Sequence, residues 1–365
     1  MDLAALGLSK NTEALLRKAR LETAEDVLLL SGPELAAQAR LPAPEAAALL
    51  RHIFARVYPT SSVPRTAQDL FRCRAARLST GDAVLDGVLG GGLTPGITEV
   101  FGKSGVGKTQ LGLQLCAMAA GPKALGGLDG GAIYISTEQP FPVSRFHDIA
   151  AARFPSINPI DILDRTHIVH IRDHETQQHI LTCYLGATVV RLNARVVVVD
   201  SIAANFRGGD VDVASAKTTT GQPSTALADR AGMLYEVGRA LKQVADTHGC
   251  VIVCLNQVVD VFAGIRQHHY QPVNQPGDFE YQNDQTAPTL GLAWSNMVTT
   301  RVRMSRVDRF PAAASSFEQQ QQGKPMDAET ASLYVSRTLQ VGFAPHLPAS
   351  SCRYSVTLRG VVGLA

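Results

Sequence analysis

Read for polarity alone, the chain changes rhythm twice. Residues 1–57 carry apolar positions at helical spacing: Leu15, Leu16, Val27, Leu28, Leu29, Leu35, Leu41, Leu49, Leu50 and Ile53. Ser31-Gly32-Pro33-Glu34 reads as a helix start, since proline in a first turn forfeits no hydrogen bond. Tyr58-Pro59-Thr60-Ser61-Ser62-Val63-Pro64 then interrupts any helix, so 58–78 reads as a linker. From Leu78 onward, short apolar runs alternate with helical patterns. Strands are expected at 132–136, 166–171, 195–199, 250–255 and 297–304, and helices at 177–192 and 224–248. The last repeats Leu227, Ala231, Leu234, Val237, Leu241 and Val244 between Ser224, a candidate N-cap, and Gly249. Near-continuous apolar strands separated by helices predict a mostly parallel, twisted sheet with helices on both faces. The expected architecture is a small all-α domain at 1–57, the linker, and an α/β core at 79–365. Residues 208–223 and 258–287 lack the alternation and are expected as long loops. Residues 311–324, with glutamine at 319–322, are expected as a disordered surface insertion.

One stretch adds chemistry to this pattern. Gly102-Lys103-Ser104-Gly105-Val106-Gly107-Lys108-Thr109 fits G-x-x-x-x-G-K-[ST]. A β-rich run ending at Phe101 precedes it and a helical pattern at Leu111, Leu115 and Met118 follows. That is the context of a phosphate-binding loop, in which backbone N–H groups and a helix N-terminus converge on phosphate oxygens. Lys108 would reach the β- and γ-phosphates of ATP, and the Thr109 hydroxyl would hold Mg²⁺.

Composition narrows the class only slightly. The net charge of +2 argues for neither a nucleic-acid nor a membrane partner. No apolar run reaches the ~20 residues of a membrane span, and Asp2 with an early Lys10 does not read as a secretory signal. Cys73, Cys116, Cys183, Cys250, Cys254 and Cys352 form no C-x-x-C pair, and Cys250 and Cys254, too far apart along one expected strand to bridge, read as buried thiols in a reducing compartment, cytosol or nucleus. The helical module balances acids and bases, which favours docking over DNA gripping. Arg65, Arg72, Arg74 and Arg77 face only Asp69, and fit a phosphate contact, an acidic partner surface or a solvated tether.

Other strand ends supply candidate partners for the phosphate loop. Four valines lead to Asp200, placed to act through a water in the Mg²⁺ shell, or else to cap a turn. Ile133-Tyr134-Ile135-Ser136-Thr137-Glu138 ends in a carboxylate suited to polarising an attacking water, or in an ordinary loop glutamate. Asn256-Gln257 ends a third strand, and Gln257 is suited to sensing a γ-phosphate, or to strand-end capping. His167, His170, His174 and His179 cross an expected strand–loop–helix junction, so they do not face one point.

Thr137-Glu138 followed by Phe141 and Arg145, the Asp200-Ser201 strand end, Asn256-Gln257-Val258 and Thr299-Thr300-Arg301 resemble the RecA-like recombinases of eukaryotes and archaea. Leu78-Ser79-Thr80-Gly81, Lys108-Thr109-Gln110-Leu111, Pro288-Thr289-Leu290-Gly291 before Trp294, and Ala344-Pro345-His346-Leu347-Pro348 with Ser350-Ser351-Cys352 are similar to the recombinase-paralogue branch. The resemblance covers nearly the whole chain and implies a RecA-like P-loop ATPase core binding ATP and Mg²⁺, with Gln110 beside the nucleotide. Arg145 would stack on adenine, and Pro288 would belong to a segment capping ATP from a neighbouring subunit. Residues 207–230 and 258–287 would be DNA-facing loops, with Arg207, Arg230 and Arg266 as their cations.

The implied activity is homologous-recombination repair within a heteromeric paralogue complex, with weak DNA-dependent ATP hydrolysis. Alternatives are an assembly subunit holding a static nucleotide, and a stand-alone strand-exchange enzyme. The implied partners are another recombinase paralogue and single-stranded or branched DNA, with no membrane, in the nucleus or also the cytoplasm. Two departures bear on this. Asp210, Asp212 and Asp229 outweigh Lys217, and Asp260, Asp278, Glu280 and Asp284 outweigh Arg266, so these loops are poor in the cations that neutralise phosphates. The family's Phe-x-x-Ala tether is reduced to Pro64-Arg65-Thr66-Ala67, which disfavours self-polymerisation and favours a defined heteromer.

Overall fold

In the computed structural model, residues 3–57, 66–72, 76–206, 225–260, 286–308 and 335–364 are described. The chain divides into two compact units, Met1–Arg74 and Ala75–Ala365.

The first unit is helical: α1 (Lys10–Lys18), α2 (Ala24–Leu28), α3 (Gly32–Ala39), α4 (Ala43–Val57) and α5 (Ala67–Arg72). Short helices need their free N–H groups satisfied, and three starts are capped by side chains. Ser9 Oγ accepts from the Thr12 N–H at 3.1 Å. Thr23 and Asp26 exchange hydrogen bonds at 2.9 and 3.2 Å. Glu34 accepts from the Ser31 N–H at 2.7 Å, so the expected start holds. Leu3, Leu6, Leu16, Val27, Leu35, Leu49 and Ile53 form the core. Leu29, expected on an apolar face, is 84% exposed, because α2 ends one residue before it. The helix α5 lies within the segment read as linker.

The second unit opens with α6 (Ala83–Val88), β1 (Gly96–Phe101), α7 (Lys108–Ala120), β2 (Gly131–Ser136), α8 (Val143–Arg153), α9 (Pro159–Leu163) and β3 (Thr166–His170). It continues with α10 (His174–His179), a π-turn (Ile180–Tyr184), α11 (Leu185–Arg191), β4 (Ala194–Asp200) and α12 (Thr225–His248). Then come β5 (Val251–Asn256), β6 (Val258–Asp260), β7 (Thr286–Pro288), α13 (Gly291–Ser295), β8 (Thr300–Asp308), β9 (Val335–Phe343), β10 (Ser351–Thr357) and β11 (Gly360–Leu364).

Among the described residues, nine strands form one sheet in the order β11-β10-β9-β8-β1-β5-β4-β2-β3. The run from β8 to β3 is parallel, and β9, β10 and β11 extend it antiparallel. Strand alternation sorts the valines of β4: Val196 and Val198 join the core under α7 and α8, and Val197 and Val199 the core under α11 and α12. Register then aligns the strand ends. Phe101 lies beside Asn256, Leu255 beside Asp200, and Asp200 beside Ser136. The chain therefore leaves each of these strands along one edge of the sheet, where ligands bind in open α/β folds.

Several boundaries differ from expectation. The strand expected at 297–304 begins at Thr300, because Met297 closes the turn after α13 by donating its N–H to the Trp294 carbonyl. The helix expected from 177 begins at His174, where Asp173 caps the Thr176 N–H at 2.7 Å. The ends of the expected 258–287 loop pair as β6 and β7, with Val259 opposite Ala287. The strand pair β10–β11 had no counterpart in the expected elements. Residues 208–223 and the 311–324 insertion lie outside the described residues. Among the described residues, no helix is long and apolar enough to cross a membrane.

Candidate functional site

The phosphate loop joins β1 to α7. A Cβ on Gly102 would collide with the Met304 carbonyl oxygen on β8, so the loop can lie this close to the sheet only with glycine there. Gly107 begins α7 at φ +110°, the left-handed region that favours glycine. Val106 is buried below the loop, and its carbonyl accepts from the Tyr354 hydroxyl of β10 at 2.7 Å. The Lys108 ammonium donates to the carbonyls of Gly102 and Lys103 at 2.6 and 2.9 Å. It is thereby curled over the loop, where phosphate oxygens would compete for the same protons.

Beside it, the Thr109 hydroxyl donates to Asp200 Oδ2 at 2.8 Å, and the buried Tyr134 hydroxyl donates to the same oxygen at 2.5 Å. Burial, then the charge of Asp200, pushes the Tyr134 phenol far above its usual range, so it remains a donor. Thr137 ties the ends of β2 and β4 together: its Oγ1 accepts from the Ser201 N–H at 2.8 Å and donates to the Ser201 carbonyl at 2.9 Å. The peptide between Asp200 and Ser201 is cis. Glu138 comes next, and both of its carboxylate oxygens accept from Gln257 Nε2, at 2.6 and 2.9 Å.

The far end of the cleft is built differently. Arg145 on α8 donates to Gln110 Oε1 at 2.7 Å, to the Leu358 carbonyl at 3.2 Å and to the Thr357 carbonyl. Arg153, two helical turns further on, donates to the carbonyls of Arg359, Gly81 and Val361 at 2.7, 2.9 and 3.2 Å. Burial, then the neighbouring Arg359 charge, lowers its pKa to about 10. The two arginines thus fasten the β10–β11 turn against α8, and Thr357 and Leu358 of that turn line the cleft.

The resulting cleft is about 720 Å³ and is lined by Ser104, Gly105, Gly107, Lys108, Thr109, Gln110, Glu138, Arg145, Asp200 and Gln257. Gly102, Lys103 and Val106 are not part of the lining, and the Lys103 carbonyl meets Lys108. Arg230 is half-buried on α12, away from the cleft, and Arg207 and Arg266 lie outside the described residues. The lining adds Gln139, Ser201, Arg337, Val356, Thr357 and Leu358, none given a role from sequence. Tyr134 was readable in principle, because alternation puts it on one strand face with Ser136. Arg337 and the turn carry no local signal. Among the described residues, no group of three His, Cys, Asp or Glu side chains is placed to hold a metal. Thr109 and Asp200 form a different set, a hydroxyl and a carboxylate beside a phosphate loop, whose hard oxygens suit Mg²⁺. His170 Nδ1 lies 3.0 Å from Ser136 Oγ, and His174 and His179 meet Phe206 and Tyr184 edge-on.

Comparison with known proteins adds a lineage to this geometry. Residues 71–305 match the Rad51 family, and residues 3–57 match an XRCC3/RpoA-like helix-hairpin-helix domain. DNA repair protein XRCC3 of Mus musculus is 33% identical over 379 aligned residues, covering 100% of this chain and 98% of the mouse protein. DNA repair protein rhp57 of Schizosaccharomyces pombe is 31% identical over 64% of this chain and 71% of its own. Meiotic recombination protein DMC1 of Saccharomyces cerevisiae is 37% identical over 42% of this chain and 45% of its own.

Proposed function

This chain belongs to the Rad51 family, and from that premise we propose that it is an ATP-binding recombinase paralogue. In this reading it assists homologous-recombination repair of double-strand breaks and stalled forks in the nucleus. It works within a heteromeric complex with another recombinase paralogue and meets single-stranded or branched DNA through that complex. ATP sits at a subunit interface. The observation that carries the reading is the convergence of Lys108, Thr109, Glu138, Asp200 and Gln257 on one cleft at the carboxyl edge of the sheet. Full-length similarity to a protein named for DNA repair supports the biological setting.

Each residue has a task its position suits. The loop N–H groups and Lys108 take the phosphates, with Lys108 exchanging its two carbonyl acceptors for phosphate oxygens. Thr109 and Asp200 would hold Mg²⁺, which neutralises phosphate charge when bound. Glu138 is the base that orients and deprotonates an attacking water. Gln257 opens β6, so a γ-phosphate that draws its amide away from Glu138 would be felt at the base of the 258–287 segment.

A static-nucleotide subunit is the second reading, favoured by the double contact of Gln257 on Glu138, which occupies both oxygens of the base. Two variants separate the readings. Lys108→Ala should abolish Mg·ATP uptake in calorimetry and release the paralogue partner in co-purification. Glu138→Gln should retain uptake and slow hydrolysis about 10²–10⁴-fold. Full repair of DNA breaks by the Glu138→Gln protein would leave only the static reading. Nucleotide-independent behaviour of Lys108→Ala in both assays would end both.

A further inference from the structure

A cation that the motif does not contain also lines the cleft. Arg337 lies near the start of β9 and shares the lining with Ser104, Gly105 and Lys108. Its strand phase explains the direction. Leu339, two residues on, packs in the same core as Val106 and Tyr354, so alternation turns Arg337 toward the phosphate-loop face of the sheet. Its charge acts on the Tyr354 phenol, partly opposing the upward push of burial. That phenol in turn donates to the Val106 carbonyl. Arg337 therefore stands against the segment of the loop that binds phosphate.

Two features point to an anion at this place. Its Nε is buried and has no hydrogen-bond partner among the described residues. Buried donors are almost always satisfied, so an orphan at a cleft points to an absent acceptor. A second cation stands close by. Arg306 is directly opposite across the β8–β9 ladder, and its guanidinium lies beside Gly105, 3.8 Å from where a Cβ would be. Two arginines thus face the same segment of the phosphate loop, a setting that suits a polyphosphate.

We infer that Arg337 is a second nucleotide-contacting cation of this chain, donating its Nε–H and guanidinium fork to polyphosphate oxygens of the bound nucleotide. Lys108 is a compact point charge, whereas a guanidinium offers paired donors matched to phosphate geometry. The inference deepens the ATP-binding reading and rests on it.

The test uses the full chain, with its co-purified partner where one is needed for solubility. Mg·ATP, Mg·ADP and adenosine are titrated by calorimetry into wild type, Arg337→Ala and Arg337→Lys, after thermal melts without nucleotide. Arg337→Ala should weaken both nucleotides about 10- to 100-fold and leave adenosine unchanged. Arg337→Lys should recover part of the loss. If Arg337→Ala melts early, the Arg337→Lys result and an Arg337→Gln protein, which keeps part of the stem and an N–H donor but no charge, carry the test. Wild-type uptake matched by Arg337→Ala would overturn this assignment alone. An equal loss for adenosine would overturn the phosphate contact in favour of a base or fold effect. Failure of wild type to take up either nucleotide would overturn the ATP-binding reading together with this one.

Discussion

Two carboxylates on one sheet, Glu99 in the middle of β1 and Asp200 at the end of β4, have opposite surroundings. Glu99 is wholly buried. Its oxygens accept from Asn256 Nδ2 at 2.7 Å, Trp294 Nε1 at 3.0 Å and Arg301 Nε at 2.6 Å. Asn256 accepts in turn from Thr289 at 2.6 Å, and Arg301 is only 12% exposed. The network joins β1, β5, α13 and β8 across the centre of the sheet. Asp200 accepts two hydroxyls on one oxygen and opens onto a cleft. A closed set of donors makes Glu99 a fastening. An open set, with one oxygen that has no hydrogen-bond partner among the described residues, makes Asp200 available to a ligand. Both also hold a neighbour neutral: burial and then Glu99 push up the Cys254 thiol, as burial and then Asp200 push up the Tyr134 phenol.

The comparison is broken most directly at Glu99. Glu99→Ala strands the Arg301 charge and the indole and amide donors in a dry interior, and should cost about 3–5 kcal/mol in urea unfolding. Much of that is the penalty of an orphaned partner, so Glu99→Ala with Arg301→Ala should be less damaging than the sum of the two. Additive losses, or a loss below about 1 kcal/mol for Glu99→Ala, would show that water reaches this network. If Glu99→Ala does not fold, Glu99→Gln keeps an acceptor and should still lose cooperative stability relative to wild type.

At Asp200 the expected order of effects reverses. Asp200→Asn keeps an oxygen for Thr109 and Tyr134, so stability should change by about 1 kcal/mol or less. The Mg²⁺-dependent part of ATP binding should nevertheless vanish, because a neutral amide is a poor partner for the metal shell. Calorimetry with and without chelator measures that difference directly. A variant that unfolds as readily as Glu99→Ala, or one whose ATP binding remains Mg²⁺-dependent, would erase the distinction between the two carboxylates.

The same contrast explains what the sequence discloses. Asp200 was legible because its context is local: four valines, then a carboxylate at a strand end. The phosphate loop, Glu138 and Gln257 were legible for the same reason, and the parallel core followed from apolar runs alternating with helices. Glu99 sits inside Ile97-Thr98-Glu99-Val100-Phe101 and reads as an ordinary strand residue. Its partners are 157, 195 and 202 positions away. Arg145 was identified through resemblance, yet the carbonyls that anchor it are 212 and 213 positions away on a turn that shows no pattern. Antiparallel β9, β10 and β11 were missed because half-exposed strands lack the continuous apolar runs of the centre. Leu29 failed the other way: a leucine in helical register was exposed because the helix stopped short of it.

The smallest expected effect lies at Tyr134, which closes one side of Asp200. Tyr134→Phe removes one hydroxyl donor and leaves Thr109, so at pH 8 the loss should be about 1 kcal/mol. Its pH dependence is the sharper test. The phenol is raised in the folded protein above its ordinary 10.0, by burial first and Asp200 second. A group raised on folding contributes stability that is complete below its unfolded value and is lost as pH rises beyond it. Wild type should therefore lose stability above about pH 10 more steeply than Tyr134→Phe does, by up to one proton per molecule. Urea midpoints at pH 8 and pH 10.5 measure the convergence. Asp200→Asn should leave this steepness nearly unchanged, since burial is the larger cause and alone keeps the folded phenol protonated over this range. A gap between wild type and Tyr134→Phe that stays constant with pH would mean that the phenol ionises as freely folded as unfolded. The Asp200 side of the cleft would then be as wet as bulk solvent, and its hydroxyl cage would be no cage at all.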